Sequence, residues 1–115
     1  MQGLAHPFEG LPHLDLLHPV RRLFGKQWSD CRLTTMESEL LGFQRIDDLP
    51  GAQAPAAWFD YLRHGVADRL IRVVAHHRQD ILSLVAAHSV LTQVIERPQF
   101  FRADLFSVAR SALCP

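Results

Sequence analysis

The sequence predicts a mainly α-helical chain that carries one short β-strand. Three observations support that class. Asp68–Glu96 repeats apolar residues at helical spacing over its whole length. Three shorter segments each run into a glycine that suits a helix stop: Gly25, Gly42 and Gly65. One segment, HLDLLH at His13–His18, alternates as a strand does.

In chain order, Met1 to Pro12 hold two glycines and two prolines and read as an irregular lead-in. In His13–His18, Leu14 and Leu16 share one side, with Asp15 and Leu17 on the other. Apolar residues on both sides suit a strand inside a sheet, yet no second strand is present to pair with it. Pro19 suits the first turn of a short helix, PVRRLFG. Thr34 or Thr35 can cap a helix through MESELLGF, with Glu37 and Glu39 near its positive N-terminal end. RIDDLPG at 45–51 is a turn with acidic side chains. A helix over Pro55–His64 carries Trp58, Phe59 and Leu62, with its aromatic residues expected at the core and its rim.

In the long helix, Leu70, Val73, Val74, Ile81, Leu84, Val85, Val90, Leu91, Val94 and Ile95 are expected to form one apolar face. Asp68 is expected to cap it, and Pro98 to end it. A last helix is expected across 99–114. The whole chain, 1–115, reads as one domain, with 98–115 as a C-terminal extension.

Composition narrows the function. Twelve basic and twelve acidic residues give zero formal charge, so no global field draws the chain to nucleic acid or membrane. There is no leader pattern at the N-terminus and no apolar run long enough to span a bilayer, so a cytoplasmic protein is the default expectation. Cys31 and Cys114 are the only cysteines and form no C-x-x-C, which argues against a thiolate zinc site. Phosphate loops and nucleophile-elbow motifs are absent.

The one chemical cluster is His76, His77 and Asp80. His76 and Asp80 stand four residues apart and share a helix face. Asp80 lies at the edge of the apolar face, with Arg69, Arg72 and Ser83 nearly in line. A carboxylate there needs a donor, a cation or a metal ion beside it. A helix-surface Asp paired with a neighbouring His or Arg is the commoner arrangement. His77 falls inside the expected apolar stripe, where a histidine is more often a hydrogen-bonded core residue than a ligand. His13 and Asp15, two apart on an extended segment, could orient an imidazole or hold a cation; a polar strand end is commoner. Asp47 and Asp48 read as turn residues before paired catalytic acids. Arg21 and Arg22, with Lys26 and Arg32, make a modest basic cluster that could meet phosphates, although a solvated face is the usual explanation.

The series GLPHLDLLHPVRRLF, CRLTTMESELLGFQR, DDLPG, WFDYLRHG and HHRQDILSL resembles, in order, the C-terminal half of ribonuclease H-like domains of the YprB type. These are relatives of the DnaQ-like, or DEDD, 3′–5′ exonucleases. The resemblance covers about residues 10–91. It implies an α/β family, of which this chain would hold the last sheet strand and the C-terminal helices. It also implies nucleic acid as substrate, and magnesium or manganese held in pairs by four carboxylates for phosphodiester hydrolysis.

On that resemblance Asp80 is the last metal-binding carboxylate. His76, four residues earlier, stands where a residue positions the attacking water. His13, Asp15, His77 and Arg78 take supporting places, and His77 replaces an asparagine common in the family. No D-x-E occurs, and Phe59-Asp60 lies inside a helix rather than after a strand. Three of the four carboxylates are therefore missing. The expectation is a truncated exonuclease domain, inactive alone and possessing no cation site of its own. Its partner would be an upstream half-domain, as in a split nuclease, or a second copy meeting it at an exposed sheet edge. A non-catalytic helical interaction module is the alternative. A single-site metal or nucleic-acid binder is a weaker third reading.

Overall fold

A computed structural model describes Gly3 and residues 5–97 of the chain. The helix expected across 99–114, and the extension that contains it, lie outside the described residues. Among the described residues four α-helices follow one another: α1 Leu17–Phe24, α2 Leu33–Leu41, α3 Ala54–His64 and α4 Asp68–Glu96. A single 3-10 turn, Gly51–Gln53, leads into α3.

The strand expected at His13–His18 does not form, and no strand occurs among the described residues. Asp15 explains why. Its Oδ1 accepts the backbone N–H of Leu17 at 2.9 Å, satisfying a free donor at the start of α1. The alternation is overridden by this local Asx turn, and Leu17 and His18 become the first turn of a helix.

The other starts differ in detail from expectation. Neither Thr34 nor Thr35 caps α2; the preceding residue is Arg32, without a side-chain cap. Asp30 organises this entry. Its Oδ1 accepts the Arg32 N–H at 3.0 Å and the Thr35 hydroxyl at 2.5 Å. Asp68 is the first residue of α4 rather than its cap, and contributes charge near the positive helix end. The glycine ends of α2 and α3 form as expected: Gly42 and Gly65 take φ of +64° and +68°, left-handed values that cost other residues energy.

The core joins three helices. Val20 and Phe24 of α1 meet Met36, Leu40 and Leu41 of α2 and Ala86, Ala87, Val90, Leu91 and Val94 of α4. Phe24 stacks on Trp28 with ring centroids 4.3 Å apart. On α3, Ala57 is buried while Trp58, Phe59 and Tyr61, expected at the core and its rim, are 41–50% exposed, so none of the three reaches the core.

Along α4 the docked side agrees with expectation at Val90, Leu91 and Val94 and departs from it in the earlier turns. Arg69, Arg72, His76, Asp80, Ser83, Ala87, Val90 and Val94 recur every three or four residues, so they share one side. That side faces the other helices. Val74, Ile81, Leu84, Val85 and Ile95, placed in the expected core, are all more than 40% exposed. His77 is exposed with them. Small side chains decide the docking: Ser83, Ala86 and Ala87 let α2 and α1 approach where bulkier residues would hold them off.

Candidate functional site

The site lies where α2, the 45–51 turn and α4 meet, and its centre is Arg45. The Schellman turn at Gly42 brings it there: the N–H groups of Gly42 and Phe43 both bond the Glu37 carbonyl, and the chain doubles back over α2. Arg45 then lies against the side chain of the same glutamate. Its Nε donates to Glu37 Oε1 and Oε2 at 3.1 and 2.9 Å, and its Nη2 donates to Oε1 at 2.6 Å. The Glu37 side chain is 1% exposed and that of Arg45 7%. Two charges so deeply buried persist because each satisfies the other.

The remaining donors reach the acids of the turn and of α4. Arg45 Nη2 donates to Asp80 Oδ1 at 2.6 Å, and Nη1 donates to Asp48 Oδ2 at 3.1 Å. His76 Nδ1 lies 2.9 Å from both Asp48 oxygens. His76 Nε2 lies 3.4 Å from Asp80 Oδ2. The imidazole thus spans two carboxylates.

Charge and tautomer follow from this arrangement. Burial pushes the Asp48 carboxyl up, but hydrogen bonds from His76 and Arg45 and their charges outweigh it and hold Asp48 below its ordinary value. Being ionised, Asp48 accepts, so His76 Nδ1 carries the proton. Arg45 Nη1, 3.2 Å from that nitrogen, is a second donor to the shared carboxylate rather than a partner of the ring. The bidentate bond to Glu37 raises Arg45 above even its usual high value, against desolvation, so the guanidinium stays charged. Three carboxylates around one guanidinium leave an excess of negative charge.

Beside this cluster runs a groove of about 220 Å³, with Phe43, Ile46, Asp48, Arg72 and His76 among its walls. Arg72 Nη2 holds the turn from this side, donating to the Asp47 carbonyl at 3.1 Å and its carboxylate at 3.2 Å. Asp47 takes a φ of +52°, an uncommon conformation outside glycine that aspartate tolerates in tight turns.

The structure brings His76 and Asp80 together and leaves the other candidates apart. His77 and Arg78 are exposed on α4, and Arg21 and Arg22 are exposed on α1. His13 and Asp15 line a separate hollow with Leu84, Val85 and His88 that does not include Asp80. Phe59-Asp60 lies within α3, where Asp60 accepts from Arg69 Nη1 at 2.7 Å.

Sequence reasoning missed Glu37, Arg45 and Asp48. One signal pointed to the first. Glu37 stands four residues after Leu33 and three before Leu40, inside the apolar stripe of α2, where an acid requires a cation. Nothing local marked Arg45 as that cation.

A family model described as RNase_H superfamily matches residues 2–92. This chain belongs to the ribonuclease H superfamily. Over 83 residues it is 36% identical to an uncharacterized protein, YprB, of Bacillus subtilis strain 168. The match takes in 72% of this chain and 20% of YprB, so the chain spans about a fifth of that relative's length. No solved structure matches it. A mainly helical chain within this superfamily agrees with the fold class expected from sequence.

Members of the superfamily are typically dependent on divalent metal ions. The described residues do not fit such a centre by themselves: no group of three or more His, Cys, Asp or Glu is arranged to hold an ion. Arg45 stands among Glu37, Asp48 and Asp80 and occupies Asp80 Oδ1. No helix of the described residues is long and apolar enough to cross a membrane.

Proposed function

We propose that this chain is one part of a ribonuclease H-like 3′–5′ exonuclease domain acting on nucleic acid, and that it does not cleave alone. Superfamily membership supports the nuclease class. The observation that carries the assignment to this site is the side-by-side placement of His76 and Asp80 on α4, 3.4 Å apart, above a buried guanidinium. In the assembled domain Asp80 would be one carboxylate of a magnesium or manganese cage, and His76 would stand where it could orient a water. The remaining acids come from an upstream half-domain. His13, Asp15, His77 and Arg78 take no part in the contacts around Asp80, and Arg21 and Arg22 are left to meet phosphates from α1.

The test is a nuclease assay with labelled single-stranded DNA and RNA in magnesium and in manganese. The chain alone is expected to be inactive, and the chain mixed with the upstream half-domain active. Asp80→Asn should abolish that activity. Cleavage by the chain alone, or an active Asp80→Asn mixture, would overturn the reading.

A second reading rests on a different surface. Ile71, Val74, Ile81 and Val85 lie 49–65% exposed along α4 and suit a non-catalytic interaction module. Self-association in sedimentation, with no nuclease activity in any mixture, would favour it.

A further inference from the structure

We propose that Arg45 is a positioning residue for Asp80, and that Glu37 is the anchor that makes it one. The inference rests on the role given to Asp80 above. A carboxylate that contributes a ligand must present a chosen oxygen in a chosen direction before its partners arrive, because an uncommitted side chain loses rotamer freedom on binding. Asp80 is 31% exposed, which alone would leave it mobile.

Arg45 removes that freedom in a way that depends on its shape. The guanidinium is a rigid plane with five N–H donors in fixed directions. The edge carrying Nε and Nη2 is spent on Glu37. With that edge locked, the second hydrogen of Nη2 has one direction left, and Asp80 Oδ1 meets it at 2.6 Å. Oδ2 is the oxygen left over, on the side where His76 Nε2 stands at 3.4 Å. Arg45 Nη1 meanwhile holds Asp48, which in turn holds His76 Nδ1. One buried plane therefore sets the side chains of both residues of the α4 pair. A lysine could supply the charge but not a rigid planar fork whose donors sit on separate nitrogens.

The test reads the Asp80 rotamer directly, in the full chain, without metal or nucleic acid. The probe is the pair of Hα–Hβ couplings of Asp80 in the labelled protein. Wild-type protein is expected to show a single-rotamer pattern; averaged couplings there would overturn the proposal before any variant is made. In Arg45→Lys and in Glu37→Gln, the couplings are expected to move toward rotamer averaging while Leu40 and Val90 methyl signals report an intact core. Arg69→Lys, which alters a neighbouring ion pair, should leave them unchanged. A purely structural role for Arg45 would lower the unfolding midpoint and leave the Asp80 couplings of the folded state unmoved, and that result overturns the proposal. Because no cleavage is measured, failure of the nuclease reading would leave this result standing.

Discussion

The two halves of α4 present the same side of one helix to the rest of the molecule, yet they are held by different physics. From Ser83 onward the line continues through Ala87, Val90 and Val94 into an apolar core with α1 and α2. Before it, Arg69, Arg72, His76 and Asp80 each meet an ionic or hydrogen-bonding partner: Asp60, Asp47, Asp48 and Arg45. Apolar burial is nondirectional and tolerant of small shifts. Ion pairs and hydrogen bonds demand geometry, and they respond to pH and salt. The first half of the helix therefore suits a site, and the second half suits the scaffold that steadies it.

The comparison is broken most severely at Arg45. Arg45→Met leaves Glu37 buried without its cation, and should cost about 3–5 kcal/mol in urea unfolding. A loss under 1 kcal/mol would mean that Glu37 takes up a proton at no cost and that the pair is ornamental. The apolar half should respond nearly as strongly: Leu40→Ala removes a fully buried side chain and should cost about 2–5 kcal/mol. The two responses should differ in kind. The Leu40→Ala loss should be the same in low and high salt.

Acid should separate the halves next. Asp48 sits below its ordinary value when folded, so its stabilisation is fully present above the unfolded carboxyl pKa, about 3.9. It is lost as pH falls through the lower folded value. Urea midpoints should therefore drop on going from pH 6 to pH 3, and Asp48→Asn should shrink that drop. The smallest effect belongs to the Asp60–Arg69 pair, whose side chains are about 40% exposed. Arg69→Ala should cost under about 1 kcal/mol, and less in high salt. A larger cost would show that the ionic half is more tightly closed than its exposure indicates.

How much of this was legible beforehand differs between the halves. His76 and Asp80 share a face by helical spacing alone, and the structure places them 3.4 Å apart. Their partners were not legible. Arg45 is 35 residues from Asp80 and reads as one more charged residue in a turn. Asp48 looked like a turn residue; it follows the bend at Ile46 and Asp47, and its side chain holds the histidine. The apolar face was legible at Val90, Leu91 and Val94 but misassigned at Val74, Ile81, Leu84 and Val85, which continue the periodic signal, whereas the docked side there uses serine and alanine.

What the residues determined by themselves was local: four helices, the glycine ends of α2 and α3, and a His–Asp pair one turn apart. These depend on backbone propensity and periodicity, which act over a few residues. Only the tertiary structure decided which side of α4 turns inward and that one buried arginine gathers three acids. Those outcomes depend on how closely helices can approach and on where a buried charge finds its counterpart, and neither is a property of any short stretch of chain.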